Sequence, residues 1–273
     1  MGIDWVGSGA RPAPVDRGPR TEAEVFEVVK TAVIAETGYA RDWHVENLFT
    51  HEQRYRADLR VVNRQLADGP ILELGSAPCH MTAILQLSGH EIVGVDIAPE
   101  RVAGFIAAMR LDVRRCDIER LPLPFADGEF AGVLLCDTFE HLRIDPGFVL
   151  SEAGRVLRFG GFLLLTTPNV YSLPSMARYA LGKSIADPLT EFGKLRRLGH
   201  MGHVREYSAR EVTRFVEGCG LRVETVDYRY QANHRSRRGR LLGLAYRLVS
   251  RRFHRDIVVI ARKCADGPRL DPL

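Results

Sequence analysis

The sequence is poor in cysteine, and its cysteines form no recognisable motif. Only five occur among 273 residues, no two make a Cys-x-x-Cys pair, and they lie at positions 79, 116, 136, 219 and 264. An odd number of widely spaced cysteines disfavours a disulfide framework and a cysteine zinc site, and it favours a reducing compartment. We therefore expect a cytoplasmic protein whose cysteines act mainly as small core residues.

Long apolar runs are also lacking. No stretch approaches the roughly 18 consecutive apolar residues that indicate a membrane-spanning helix. The first twenty residues do not show the basic and then apolar pattern of a secretory signal, so we expect residues 1–20 to form a flexible tail. With 45% hydrophobic and 26% charged residues, the composition is that of an ordinary globular protein.

The net charge is only +4, but basic residues concentrate in the segment 234–255. Within it, leucines among arginines predict a basic amphipathic helix over about 238–252. We favour a role in covering the sheet or forming a homodimer interface. Peripheral contact with an anionic membrane and contact with a charged acceptor stay open. A nucleic-acid partner is not expected, because few aromatic residues are interleaved with the basic ones.

Short apolar segments alternate with helical patterns along most of the chain. The predicted strands are 70–75, 91–96, 111–116, 130–136, 162–167, 221–228 and 256–262. The predicted helices are 21–36, 42–66, 81–88, one beginning at Pro99, 146–157 and one beginning after Ser208. Such alternation predicts an α/β fold with a Rossmann-like, seven-stranded, mostly parallel sheet and helices on both faces.

The predicted domain organisation is simple. Residues 21–273 form one domain, with N-terminal helices over 21–68 and a basic helical insertion over 234–255. The alternating pattern stops after Pro168, where residues 169–206 contain no clear strand. We therefore predict that 169–206 form a lid over an acceptor.

Acidic residues follow three of the predicted strands. Glu73, Asp96 and Asp117 lie at or just after strands one, two and three, whose carboxyl ends share one edge of a parallel sheet. Ligands bind at this edge in open α/β sheets. A carboxylate after the second strand suits a ribose diol, because it accepts hydrogen bonds from both hydroxyls. Gly75 permits close approach of the backbone to a ligand.

The motifs at these strand ends carry a resemblance to a known family. The segments ILELGSAPC, VGVDIAPE, RCDIERLPLPFADGEFAGVLLCDTFEHL and GGFLLLTTPN resemble class I S-adenosylmethionine-dependent methyltransferases, especially the small-molecule subfamily with ubiquinone-type members. The resemblance runs from about Ile71 to Asn169 and resumes around 203–221. It implies that the chain binds S-adenosylmethionine and releases S-adenosylhomocysteine.

The same resemblance assigns parts of the cofactor to particular positions. The acid and glycine of the first strand end line the amino-acid part, the second strand's acid binds the ribose, and the third strand's end flanks the adenine. Strand four ends beside the sulfonium. The implied cofactor residues are Glu73, Gly75, Ser76, Ala77, Asp96, Ile97, Asp117, Ile118 and Cys136.

One part of the sequence departs from the family pattern. The family usually carries E/D-x-G-x-G-x-G after strand one, whereas here Ala77 and Cys79 replace the second and third glycines, with Pro78 between them. Proline removes a backbone N–H donor. A catalytically silent methyltransferase fold that only binds ligands therefore stays an alternative. A nicotinamide dehydrogenase is disfavoured, because the G-x-G-x-x-G motif is missing.

The candidate catalytic residues follow strand four in the segment Asp137-Thr138-Phe139-Glu140-His141. Methyl transfer to a hydroxyl requires removal of its proton, and His141 is the best candidate base because the ordinary pKa of histidine lies near neutrality. Asp137 or Glu140 would orient His141 or replace it. A divalent metal assisted by these acids is a second choice, and no metal site is predicted.

The candidate acceptor site lies in and after the lid. In the resembling subfamily, an H-x-R-x-Y/F-[ST] stretch faces the acceptor, and HVREYS matches it here. The predicted acceptor-binding residues are Asn169, Tyr171, His200, His203, Arg205 and Tyr207. Polar and aromatic side chains suit a sugar, and TPNVYSL with HVREYS resembles methyltransferases of polysaccharide and glycoside modification. We therefore predict an O-methyltransferase of a sugar or oligosaccharide, with a quinone or natural product as the alternative acceptor.

Overall fold

The computed structural model of the chain describes residues 20–37, 41–65, 68–184, 187–198, 202–230, 246 and 248–273. Nearly all of the predicted tail, His200 and most of the predicted basic helix lie outside these residues, so those predictions stay untested. The helices are α1 (Glu22–Ile34), α2 (Arg41–Arg64), α3 (His80–Leu87), α4 (Ala103–Met109), α5 (Pro146–Val156), α6 (Leu173–Ala180), α7 (Pro188–Leu198) and α8 (Ala209–Gly218). The strands are β1 (Ile71–Leu74), β2 (Ile92–Asp96), β3 (Val113–Arg115), β4 (Phe130–Cys136), β5 (Leu157–Pro168), β6 (Leu221–Arg229) and β7 (Asp256–Lys263).

The strands form one seven-stranded sheet in the order β3-β2-β1-β4-β5-β7-β6. β1 is parallel to both β2 and β4, and β2 is parallel to β3. β6 and β7 pair antiparallel. This arrangement confirms the predicted mostly parallel, Rossmann-like sheet. No helix in the described part of the chain is long and apolar enough to cross a membrane, and all five cysteines are free thiols.

The backbone divides into two compact units. The first contains the chain up to Leu134 together with Val156–Phe162, and the second contains Leu135–Arg155 together with Leu163–Leu273.

The first unit is built on the short buried strands and the N-terminal helices. All four residues of β1 are buried, as expected for an apolar strand inside a parallel sheet. α1 begins at a capping box, in which Thr21 and Glu24 exchange hydrogen bonds. Val25, Phe26 and Val29 on this helix are fully buried. The helix therefore begins within one residue of its predicted start at 21.

The second unit contains the segment that was predicted as a lid. The described residues between 169 and 206 include the helices α6 and α7, and Ser172 caps α6 by accepting a hydrogen bond from the Ser175 N–H. α8 then begins at a second capping box, made by Ser208 and Glu211. The role of this segment as a lid over an acceptor stays a prediction.

The start of β5 differs from the prediction. A helix was predicted to end at 157 and the strand to begin at 162, but β5 begins at Leu157 and includes Gly160 and Gly161. Gly160 has a φ of 74°, and a Cβ on Gly161 would lie 2.8 Å from the Arg158 carbonyl oxygen. The glycines therefore permit an irregular strand with close backbone contacts. Glycines also commonly end helices, so the sequence alone does not distinguish the two cases.

Candidate functional site

The loop after β1 is bound tightly to β2 in the first unit. Gly75 has a φ of 71°, a left-handed conformation that favours glycine. The N–H groups of Gly75 and Ser76 both donate to the Val95 carbonyl oxygen, at 2.9 and 3.0 Å. A Cβ on Gly94 would lie 2.8 Å from the Ser76 Oγ. The two strand ends can therefore approach this closely only because Gly94 lacks a side chain.

Asp96 ends β2 with its carboxylate already oriented. One oxygen accepts the Ala77 N–H at 3.0 Å, and the other accepts the Ala98 N–H at 2.9 Å. Arg101 lies farther away, at 3.4 Å. A carboxylate offers about four acceptor positions, so Asp96 can accept a ribose hydroxyl while it holds the loop. This geometry fits the ribose-binding role that the resemblance implies.

Apolar surface adjoins this acid. Ile97 is 48% exposed, which is high for a residue next to a buried carboxylate. At the end of β3, Asp117 accepts the Glu119 N–H at 3.2 Å, and Ile118 is partly exposed. The adenine contacts that the resemblance implies for Ile97, Asp117 and Ile118 stay a prediction.

Glu73 is buried within β1, and its carboxyl accepts a hydrogen bond from the Thr82 hydroxyl. Burial raises the pKa of Glu73 to about 8, and the nearby carboxylates of Asp96 and Asp58 act in the same direction. Glu73 is therefore largely protonated at neutral pH in the unliganded protein. A ligand ammonium group beside it would favour the charged form, and S-adenosylmethionine carries such a group.

The unusual loop replaces glycine at a left-handed position. Cys79 has a φ of 65° and is fully buried, and the Ala77–Pro78 peptide bond is cis. The third glycine of the family pattern falls at Cys79, so the backbone keeps a conformation that glycine favours although the residue has changed. The loop therefore still connects β1 to the first turn of α3.

His44 is a loop contact that the sequence did not predict. It lies fully buried on α2, its Nε2 is 3.1 Å from the Pro78 carbonyl oxygen, and its Nδ1 contacts the Glu36 carboxylate. The His44 ring also stacks on His80, with 4.4 Å between the ring centroids. Because 34 residues separate His44 from Pro78, no local motif could reveal this support of the loop.

The second unit brings Glu140, His141 and His203 together, and we call these three residues the acid–histidine cluster. One ligand-type atom from each residue lies within 4.8 Å of the others. The Glu140 Oε1 is 4.0 Å from the His141 Nε2 and 3.8 Å from the His203 Nε2. The Val204 N–H donates to the Glu140 carbonyl oxygen at 2.9 Å. This backbone contact brings the segment before α8 against the turn after β4.

Further hydrogen bonds orient each member of the cluster. The Glu140 Oε2 accepts the Thr167 hydroxyl at 2.9 Å. The His141 Nδ1 lies 3.0 Å from the Gly202 carbonyl oxygen, and the His203 Nδ1 lies 3.3 Å from the Glu206 Oε1. Burial by itself lowers the pKa of His203, but the Glu206 hydrogen bond and the Glu140 charge outweigh it, so this pKa is raised.

Asp137, the remaining catalytic candidate, has a different set of partners. Its φ of 48° is left-handed, its N–H donates to the Thr166 carbonyl oxygen at 2.8 Å, and its Oδ1 accepts the Thr166 hydroxyl at 3.1 Å. A left-handed aspartate directly after a buried strand is a locally strained conformation of the kind found at functional sites. The preceding Cys136 is partly exposed.

The predicted acceptor residues have different environments. Tyr171 is 58% exposed and available to a ligand. Arg205 pairs with Glu211 at 2.6 Å, and Tyr207 is buried with its ring packed against Phe139.

Asn169 is buried and engaged with the protein itself. Its amide nitrogen donates to the carbonyl oxygens of Arg252 and His254, both at 2.8 Å. Its side-chain oxygen accepts the Tyr171 N–H at 3.0 Å. Because both amide N–H groups are used internally, Asn169 is suited to positioning Tyr171 and the chain after Ser250. A direct acceptor contact by Asn169 stays a prediction.

Comparisons with known proteins give a family match and a fold match. Residues 72–165 match the family model of a methyltransferase domain. A relative from Mycolicibacterium smegmatis, named a probable S-adenosylmethionine-dependent methyltransferase, is 31% identical over 175 residues, which cover 64% of this chain and 58% of the relative. The chain therefore matches less than two thirds of that relative's length.

Solved structures show the same fold. A SAM-dependent methyltransferase from Archaeoglobus fulgidus aligns with a TM-score of 0.57 at 18% sequence identity. The alignment covers 79% of this chain and 98% of the other chain. A SAM-dependent methyltransferase from Thermotoga maritima, described as a possible histamine N-methyltransferase, aligns with a TM-score of 0.56 at 18% sequence identity. The alignment covers 89% of this chain and 100% of the other chain.

The sheet has the class I methyltransferase fold that these solved structures share. The comparisons confirm the resemblance to class I S-adenosylmethionine-dependent methyltransferases, and the family match covers residues 72–165.

Proposed function

We propose that the protein transfers the methyl group of S-adenosylmethionine to a hydroxyl of a sugar or oligosaccharide. The observation that carries the cofactor assignment is Asp96, a buried carboxylate at the end of β2 that is fixed by two backbone N–H groups. The observation that supports a hydroxyl as the methyl acceptor is the acid–histidine cluster. When bound, S-adenosylmethionine supplies an electrophilic methyl group on a sulfonium.

The residues of the first unit bind the cofactor. Asp96 accepts hydrogen bonds from the ribose hydroxyls, and the exposed Ile97 contacts the adenine. Glu73 binds the ammonium group, which favours its ionised form over the protonated form of the unliganded protein. Because Gly75 carries no Cβ, it lets the loop backbone approach the cofactor.

The acid–histidine cluster acts on the acceptor. A hydroxyl oxygen is a weak nucleophile until its proton is removed, whereas a neutral amine attacks without prior deprotonation. The cluster offers two imidazoles and one carboxylate for this step, so it favours an O-methyl acceptor over an amine. The family resemblance assigns the residues after β4 to the reaction centre, which supports His141 and Glu140 in this role. Asp137 keeps the backbone that precedes them in a fixed conformation.

The surface of the lid segment supports a sugar acceptor. Tyr171 and Tyr179 are 58% and 48% exposed. Partial burial and then the Glu206 charge raise the pKa of Tyr179. Aromatic faces near acidic and hydroxyl groups suit the alternating apolar faces and hydroxyls of a sugar ring. A quinone or another natural product is the second candidate acceptor, since exposed apolar side chains such as Leu181 also occur on this segment.

The test is a methyl-transfer assay with isotopically labelled S-adenosylmethionine. A panel of nucleotide sugars, free oligosaccharides, catechol-type quinone precursors and amines is incubated with the wild type and with Glu140→Gln. We expect a labelled sugar ether whose formation falls at least about a hundredfold in the variant, because general base catalysis contributes about 10²–10⁴. Label only on amines would overturn the hydroxyl assignment. Tight cofactor binding without any product would instead favour the silent binding module.

A further inference from the structure

We propose that the acid–histidine cluster is a binding site for one divalent transition-metal ion, held by Glu140, His141 and His203. The three side chains offer one carboxylate oxygen and two imidazole nitrogens within 4.8 Å of one another. Two histidines and one carboxylate form the ligand set of catalytic zinc sites and of other metal sites that keep open positions.

The orientation of the imidazoles supports the site. Each histidine uses its Nδ1 for a contact within the protein, His141 with the Gly202 carbonyl oxygen and His203 with the Glu206 carboxylate. Both Nε2 atoms lie on the side of the Glu140 Oε1. Histidine ligands of metals almost always donate their other ring N–H to a carbonyl or carboxylate, which fixes the ring and its tautomer. The cluster therefore has the outer contacts of a metal site as well as the ligands.

Glu140 is suited to be the central ligand. It is buried to 1% exposure, and its other oxygen is fixed by the Thr167 hydroxyl. A buried carboxylate beside two imidazoles provides the negative charge that a divalent cation needs in a poorly solvated place. The Ser175 hydroxyl lies 3.4 Å from the Glu206 Oε2, so the outer carboxylate also has a partner.

The spacing permits coordination after a small movement. Ligand atoms around a tetrahedral ion at about 2.1 Å lie roughly 3.4 Å apart, whereas the Glu140 Oε1 lies 3.8 and 4.0 Å from the two Nε2 atoms. The side chains of His141 and His203 are 40% and 37% exposed, and shifts of less than about 1 Å would bring their Nε2 atoms to that spacing from the Glu140 Oε1. Their exposure also leaves coordination positions open to an acceptor.

The role of the ion rests on the proposed function, but its binding does not. An acceptor hydroxyl at an open position would have a lowered pKa and would release its proton to solvent. The hydroxyl oxygen then forms a bond to the methyl carbon as the bond from carbon to sulfur breaks, and sulfur keeps the electron pair. The reaction consumes no oxidant or reductant. In this arrangement His141 is a ligand, and the ion replaces it as the group that activates the hydroxyl.

Metal binding is tested without any acceptor. The purified protein is stripped with a chelator and dialysed, and it is then titrated with Co²⁺ while visible absorption is recorded. Zn²⁺ stoichiometry is measured by equilibrium dialysis with elemental analysis. We expect one ion per chain with ligand-field bands in the visible range. Glu140→Gln and His203→Gln should weaken binding by about a hundredfold or more, and Glu206→Gln by about tenfold. His90→Gln, which changes a histidine on the first unit, should bind as the wild type does.

Each outcome decides a separate claim. Circular dichroism and thermal unfolding establish that the variants are folded, and S-adenosylhomocysteine affinity is measured on the same samples. No stoichiometric Co²⁺ or Zn²⁺ binding by the folded wild type would overturn the site, and so would unchanged binding in Glu140→Gln. Methyl transfer that is unaffected by chelation would overturn the role of the ion and return His141 to the role of base. Stoichiometric metal binding without methylation of any hydroxyl would support the site and contradict the proposed function.

Discussion

Replacing Glu73 by glutamine should change how stability depends on pH. The folded protein holds the pKa of Glu73 at about 8, above its ordinary value of 4.5, chiefly because the carboxyl is buried. Between these two values the unfolded chain releases this proton while the folded chain keeps it. The free energy of unfolding therefore falls as pH rises from about 4.5 to about 8.

The size of this effect follows from the pKa difference. One pKa unit corresponds to about 1.4 kcal/mol, so Glu73 destabilises the unliganded protein by roughly 5 kcal/mol at most above pH 8. Over the interval from about pH 5.5 to pH 8, the contribution changes by roughly 3 kcal/mol. Glutamine has a similar shape and does not titrate. We expect the stability of Glu73→Gln relative to the wild type to rise by that amount over this interval.

Urea unfolding followed by circular dichroism at a series of pH values measures the effect. The control is Glu46→Gln, which removes an exposed carboxylate from α2. Its curve should stay parallel to that of the wild type. If the Glu73→Gln curve is also parallel to the wild-type curve between pH 5.5 and 8, the burial argument for Glu73 is wrong.

The same group links cofactor binding to proton release. A ligand ammonium beside Glu73 favours the ionised carboxylate, so binding at pH 7 should release a fraction of a proton. Calorimetry of S-adenosylhomocysteine binding in buffers of different ionisation enthalpy measures this fraction. We expect release from the wild type and none attributable to this site in Glu73→Gln. Equal proton release from both proteins would exclude Glu73 as the group that binds the ammonium.

Three further substitutions test the loop after β1. Cys79→Gly should be more stable than Cys79→Ala by about 1 kcal/mol in urea unfolding. Both variants lose the thiol, but only glycine relieves the strain of a side chain at a left-handed backbone conformation. A more stable alanine variant would contradict this expectation. Gly94→Ala should lower the free energy of unfolding by about 1–3 kcal/mol, because its Cβ would press on the Ser76 side chain, and an unchanged midpoint would contradict the close packing. His44→Leu should weaken S-adenosylhomocysteine binding by about fivefold, because a hydrogen bond to the loop is worth about 1 kcal/mol; unchanged affinity would exclude a positioning role for His44.

The sequence identified the first half of the sheet well. β1, β2 and β4 are short, apolar and buried, and each lies within or coincides with its predicted range. Burial on both faces leaves few alternatives for such segments, since a helix of comparable length would expose apolar side chains. The acids at the strand ends were predictable for the same reason, because the topology of a parallel sheet places them at one edge.

Contacts between distant segments were beyond sequence reasoning. His203 was assigned to an acceptor site and His141 to catalysis, yet their ring centroids lie 5.2 Å apart. This contact depends on backbone hydrogen bonds to Glu140 from Val204 and Arg205. No periodicity in the sequence encodes that pairing. The sequence predicted no metal site, and the cluster joins two segments that are 61 positions apart at the contact between His141 and Gly202.

Two local differences have physical causes. α6 and α7 were not predicted. Both contain apolar residues, but several of these, including Leu189 and Phe192, stay exposed. A helical pattern depends on one buried face, and this segment offers little of one. β5 was predicted too short, because its paired glycines resemble a helix end.

Binding of S-adenosylhomocysteine tests the central claim most directly. Calorimetric titration is made on the wild type, on Asp96→Asn and on the control Asp227→Asn, which changes an exposed acid on β6, after circular dichroism has shown that all three are folded. Hydrogen bonds to a charged group contribute about 1.5–3 kcal/mol, so we predict micromolar binding by the wild type and the control, and affinity about ten- to a hundredfold weaker in Asp96→Asn. Equal affinity in all three proteins, or no binding by the folded wild type, would contradict the account.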